Sequence, residues 1–170
     1  RIDSSGNVGI GDTSPAGRLD IGFNSSSDVG LVLSNAGTGT SARFYSGSSI
    51  VGSITVTGSA TAYNTSSDYR LKENVVDIAD GITRVKQLQP KRFNFIADAE
   101  TTVDGFLAHE AQTVVPEAVT GTHNEVDDDG NAVMQGIDQS KLVPLLTAAL
   151  QEAIAKIETL EAKVAALEAG

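Results

Sequence analysis

Ser67-Asp68-Tyr69-Arg70-Leu71-Lys72-Glu73-Asn74 divides this chain into two kinds of sequence. Upstream, residues 1–66 hold 11 of the 17 glycines, are rich in Ser and Thr, and carry only three basic and four acidic side chains. Downstream, nine basic residues face eighteen acidic ones, so nearly all of the net charge of -10 belongs to the second part. The stretch also holds a serine with a lysine five residues on, the ingredients of a Ser-Lys dyad in which a neutral amine takes the hydroxyl proton. A regular helix sets residues five apart about 140° apart around its axis, so a dyad requires a non-helical start or a turn at Ser67. The competing reading is structural: Ser67 as the N-cap, and Asp68 in the first turn, of a helix running through Arg70, Leu71 and Lys72.

Composition bounds the rest. With 40% hydrophobic but only 5% aromatic residues in 170, the core is expected to be modest and the molecule elongated or oligomeric. There is no cysteine, hence no disulfide and no thiolate metal site. The acidic balance argues against nucleic acid as a partner, which needs a basic face to displace counterions. No apolar run reaches membrane-spanning length and no signal pattern opens the chain, so no membrane partner is expected. Beginning at Arg1, the sequence is expected to be a piece of a longer protein.

Residues 1–66 read as short strands between Gly, Asn and Pro turns, with Ile2, Val8, Ile10, Leu19 and Ile21 as inward positions. Val29–Asn35 and Ser49–Thr57 are also strand-like, and 39–49 fits a loop or a short exposed strand equally well. Ala60–Ser66, small and polar around Tyr63, has the composition of an accessible connection where a backbone bond could be cut. None of these strands can bury itself alone. Three chains wound together would pair the edges and share the few apolar residues, whereas the bland alternative is a flexible Gly/Ser linker.

After the dividing stretch, Leu71, Val75, Ile78, Ile82 and Val85 recur at helical spacing, interrupted by Gly81, which predicts one helix or two short ones ended by Pro90. Residues 91–96 and 101–107 read as strands, and 108–114 as a short helix stopped before Pro116. His109 beside Glu110 invites an acid-base or metal reading, but helix neighbours point apart, and with only His109 and His123 in the chain no ligand set is evident. Glu125, Asp127, Asp129 and Gly130 echo a calcium loop that fails at Gly136, where a bidentate acid is expected; 128–131 reads better as a hairpin turn. No metal and no cofactor are expected.

The last segment carries the strongest periodic signal. With Asp138 or Ser140 as cap and Pro144 in the first turn, Val143, Leu146, Leu150, Ala153, Ile157, Leu160, Val164 and Leu167 follow an unbroken 3,4 spacing, a heptad a/d seam. Lys156 and Lys163 fall at g, and Glu161 and Glu168 at e one heptad on, so parallel in-register neighbours would pair their charges. The alternative is an amphipathic helix packed on its own domain.

Four stretches in order carry a family resemblance: 67–75, then 85–95 (Val85 to Phe95, through Gln89-Pro90-Lys91-Arg92), then 105–119 (Gly105 to Val119, through His109-Glu110), then 136–146 leading into the long helix. Together they resemble the intramolecular chaperone of the endosialidase type, the peptidase S74 family found at the C-termini of bacteriophage tail fibres and tailspikes. Residues 1–66 are similar to the shaft repeats of such fibres. The resemblance implies an α+β architecture: the end of an intertwined trimeric β-fibre, or triple β-helix, over 1–66, and a chaperone and autoprotease domain over 67–139. A trimerising helix over 140–170 would form a parallel three-stranded coiled coil. It implies self-cleavage between Ser66 and Ser67, with Ser67 as nucleophile and Lys72 as general base, and Asp68, Arg70, His109 and Glu110 as possible support. The expected partners are two further copies of the chain and the upstream fibre of the same polypeptide. Virion assembly in the host cytoplasm is the expected setting. A non-cleaving trimeric stalk is the alternative.

Overall fold

The computed structural model describes residues 1–22, 29–34 and 36–169. The chain forms two compact units, Arg1–Asn74 and Val75–Gly170. The family resemblance and the compositional change begin at Ser67, inside the end of the first unit.

The first unit is built of short strands. β1 (Val8–Ile10) and β2 (Leu19–Ile21) pair in parallel, Val8 opposite Leu19. β3 (Gly39–Ser46), β4 (Ser49–Val56) and β5 (Thr61–Thr65) form an antiparallel meander in that order. Ser46 pairs with Ser49, leaving a two-residue turn whose first member, Gly47, takes the positive φ of 58° that suits the twist of a hairpin. Between β4 and β5, Thr57 turns the chain through its side chain: its Oγ1 accepts from the backbone N–H groups of Ser59 and Ala60.

Several expectations change here. The segment 39–49, left open between loop and strand, contains the eight-residue strand β3. The connection expected at 60–66 is mostly β5, exposed along its whole length yet hydrogen-bonded to β4. Residues 29–34 form no strand, and Asn35 lies outside the described residues. The paired strands also displace the flexible-linker reading. Of the expected inward positions, Val8 and Ile21 are half-buried, but Ile2, Ile10 and Leu19 are 71%, 54% and 57% exposed. Their burial would need a surface that this single chain does not provide.

The second unit has a core of its own. After an extended stretch, α1 (Gly81–Val85) is followed by the hairpin β6 (Lys91–Phe95) and β7 (Asp98–Gly105), then α2 (Ala108–Gln112), a 3-10 turn at Pro116–Ala118, and the two-residue strands β8 (Val119–Thr120) and β9 (Gly136–Ile137). A 3-10 turn at Gln139–Leu142 leads into α3 (Val143–Glu168), 26 residues long. No helix among the described residues is long and apolar enough to cross a membrane. Ala111, Val114, Val115, Ala118, Val119, Leu142 and Leu145 are buried together, with Val85, Leu88, Phe106, Ala108 and Ile137 packed around them. Arg84 fastens α1 to the end of α2, its Nη2 donating 2.8 Å to the carbonyl of Val114.

The helix expected over 71–85 shrinks to α1. Lys72 is extended, Asn74 sits at φ 52° in the left-handed region, and the chain stays non-helical to Asp80. Gly81, expected as an interruption, instead opens α1 at its closest approach to α3. A Cβ built there would lie 2.5 Å from the backbone N of Ala149 and 2.8 Å from its Cα, so only glycine lets the two helices touch. Glu152, one turn further along α3, accepts a 3.1 Å bond from the Ile82 N–H. It thereby supplies the N-terminal cap that Asp80 does not.

Candidate active site

The Ser67–Lys72 geometry follows from a single turn. Tyr69–Leu71 is one turn of 3-10 helix, with extended residues on either side: Asp68 at φ -62°, ψ 136° and Lys72 at φ -123°, ψ 143°. The chain therefore enters and leaves the turn without continuing a helix, and the 140° separation of a regular α-helix does not apply. Lys72 Nζ lies 2.8 Å from Ser67 Oγ and donates to it. The helix of the competing reading, running through Lys72 and capped by Ser67, is absent. Asp68 is the capping residue: its Oδ1 accepts from the Arg70 backbone N–H at 2.9 Å.

Arg70 returns to the same carboxylate with its side chain, Nε to Oδ1 at 2.9 Å and Nη2 to Oδ2 at 2.7 Å. These bonds, the Arg70 guanidinium first and its backbone N–H second, hold the Asp68 carboxyl below its ordinary range, and the charge of Lys72 adds to the effect. The same pairing raises the Arg70 guanidinium above its ordinary value. Ser66, on the other side of the expected cleavage point, is anchored to β4: its N–H donates 3.1 Å to the Val51 carbonyl and its Oγ 2.9 Å to the Ile50 carbonyl. Ser66, Ser67 and Lys72 are all exposed.

His109 and Glu110 sit on α2 in the second unit, and their side chains have separate partners. His109 stacks on His123 with ring centroids 4.3 Å apart and planes 5° from parallel. Glu110 Oε2 is 3.4 Å from Lys91 Nζ, and this buried oxygen accepts no hydrogen bond. The loop carrying His123 is tied back through Gln112 and Gln135, which bond to each other at 3.0 Å and both donate to the Gly121 carbonyl. Sequence reasoning named both histidines but had no signal for this pairing, because it depends on a loop return between α2 and β9. The acidic run at 125–130 is a turn: Val126 bridges Ala132, and the Asp127 carboxylate accepts from the backbone of Asp129 and Asn131. No metal-binding group of three or more acidic, His or Cys side chains is present among the described residues.

On α3, the predicted seam forms one stripe. Val143, Leu146, Leu150, Ile157, Leu160, Val164 and Leu167 are all exposed and Ala153 is half-buried. The side chains that α3 buries in its own unit are Leu145 and Ala149, which lie on a different face, next to α1 and the core. Intramolecular packing, the competing explanation of the helix, thus accounts for that face and leaves the a/d stripe uncovered. The expected cap is shifted: Asp138 caps the 3-10 turn through Ser140, and α3 itself begins at Val143 without a side-chain cap.

Residues 67–120 match the peptidase S74 family, described as the chaperone of endosialidase. That stretch of the chain is similar to the endosialidase-type chaperone. The match opens on Ser67, runs through Lys72, His109 and Glu110, ends at Thr120 in β8, and spans about a third of the chain. No curated protein matches the chain. The architecture around the matched stretch is mixed α+β, with small sheets and a long C-terminal helix.

Proposed function

We propose that this chain is an intramolecular chaperone that aligns three copies of a fibre and then releases itself by cutting between Ser66 and Ser67. The observation that carries the reading is the 2.8 Å approach of Lys72 Nζ to Ser67 Oγ across one turn, at the first residues of the matched domain. In the reaction, Ser67 Oγ attacks the carbonyl carbon of Ser66 while its proton passes to Lys72 Nζ. The C–N bond to Ser67 then breaks, its nitrogen takes the proton, and the acyl group rests on Oγ as an ester. Water hydrolyses that ester, restoring the hydroxyl and leaving a Ser66 carboxylate.

General-base action requires the hydroxyl to donate to a neutral amine, the reverse of the bond present here. Both groups are exposed in the single chain, and burial by neighbouring chains favours the uncharged amine. Assembly thereby acts as the switch for cleavage. The uncovered a/d stripe of α3 supports a parallel three-stranded coiled coil, with Lys156 and Lys163 facing Glu161 and Glu168 of neighbours. Such a coil holds three fibre ends at high local concentration and in one register, which strands this weak cannot set for themselves. Once the chaperone is cut away, the fibre cannot unfold by the reverse route, and its stability becomes kinetic. The partners in this reading are two further copies and the upstream fibre, during virion assembly in the host cytoplasm; no cofactor enters the reaction.

Intact mass of the purified chain, under denaturing and native conditions, tests this. Fragments of 66 and 104 residues from a trimeric species are expected, and Ser67→Ala abolishes them while the trimer persists. Undiminished cleavage in Ser67→Ala refutes the nucleophile. An uncut wild-type trimer leaves the stalk reading in its place.

A further inference from the structure

The turn that joins Ser67 to Lys72 depends on a carboxylate that is also a hazard to it. Asp68 caps the turn by accepting from the Arg70 N–H, adding a side-chain bond to the backbone bonds from Leu71 N–H to the Asp68 carbonyl and from Lys72 N–H to the Tyr69 carbonyl. Yet an unmasked carboxylate close to an amine favours the protonated amine, which cannot take a proton from a hydroxyl. Asp68 adjoins Ser67, whose Oγ accepts from the Lys72 amine at 2.8 Å, so carboxylate and amine share one turn.

We propose that Arg70 is a positioning residue for the dyad: by occupying both oxygens of Asp68 it lets that carboxylate shape the turn without ion-pairing to the Lys72 amine. The geometry is specific. Asp68 Oδ1 takes the Arg70 backbone N–H and Nε, and Oδ2 takes Nη2, the fork-on-fork arrangement that a guanidinium makes and an ammonium cannot. The guanidinium remains positive throughout the working pH range, so the mask does not titrate away. Among the described residues, the charged groups of this segment are Asp68, Arg70, Lys72 and Glu73, while β4 and β5, which lead into it, carry none. Of the two carboxylates, Asp68 caps the turn beside Ser67 while Glu73 lies beyond it, after Lys72, and Arg70 is the group that screens Asp68. The inference rests on the dyad reading above, and its test separates the two.

The full chain is unfolded, refolded at a series of pH values, and followed by intact mass, with native mass checking assembly of each variant. In Arg70→Gln the rising limb of the pH–rate curve is expected to move alkaline, slowing cleavage at neutral pH by about tenfold and restoring it at high pH. The double variant with Asp68→Asn, which keeps a capping oxygen but removes the charge, returns the neutral-pH rate. Asp68→Asn alone keeps the wild-type pH profile whatever its plateau rate, because the charge it removes is already masked. An equal loss at every pH in Arg70→Gln, or failure of the double variant to recover while still assembling, overturns the proposal. So does an alkaline shift in Asp68→Asn, which covers the case in which Arg70→Gln fails to assemble. In each of those cases wild type still cleaves and Lys72→Ala does not, so the dyad stands. If wild type fails to cleave, or Lys72→Ala cleaves as well as wild type, the dyad falls and this proposal with it.

Discussion

The two units differ in where they find their stability. The second buries a contiguous set of side chains, from Ala111 to Leu145, and locks α1 onto α3 through Gly81 and the Glu152 cap. The first buries no large side chain among its described residues: Phe44, Tyr45, Ile50 and Tyr63 all remain exposed on the meander, and its order comes from backbone pairing and side-chain-capped turns. Two- and three-stranded sheets are marginal in water without a face to pack on. One chain therefore contains a part with a core of its own and a part whose apolar side chains stay uncovered, the division that the proposed chaperone and client would show.

The contrast can be broken from either side. Leu145→Ala removes a fully packed side chain, and a loss of about 2–5 kcal/mol is expected in urea unfolding followed by helix content. A loss near zero would mean that the second unit, too, lacks an independent core. Phe44→Ala removes a residue that is 54% exposed, so a change of about 1 kcal/mol or less is expected in dilute protein. The change should grow as chain concentration is raised and copies cover the sheet. An equal, large loss at both concentrations would show that the meander is self-supporting. The smallest effect concerns acid. Glu152 is held below its ordinary value of 4.5, by Lys156 first and the Ile82 N–H second. Its contribution is complete above that value and is lost as pH falls below it, because the unfolded state takes up the proton first. Thermal unfolding from pH 6 downward should therefore show wild type losing more stability than Glu152→Gln. Parallel curves would remove Glu152 from the account.

Legibility from sequence follows the same divide. The heptad of α3 was readable because 26 residues of unbroken spacing leave little room for another structure. The proximity of Ser67 and Lys72 was readable only as a condition, a turn in place of a helix, and the turn is present through Asp68 rather than Ser67. The five apolar residues from Leu71 to Val85 misled because helical spacing was taken to mean a helix. Leu71, Val75 and Ile78 are 71%, 78% and 40% exposed, and only Ile82 and Val85 lie in α1, so the first three positions do not report packing within this chain. Gly81 carried the opposite error, a helix breaker by propensity that is required by the distance between two helices. The His109–His123 stack could not be read at all, since nothing local encodes where a loop returns.

The anchoring of Ser66 to β4 has a further consequence. The proposed cut before Ser67 would leave its new C-terminus one residue beyond β5, on a backbone already held through the Val51 and Ile50 carbonyls. The matured end would carry no dangling tail for an exopeptidase to grip, and no trimming would be needed after release. The proposed parting line would fall where the finished edge is already hemmed.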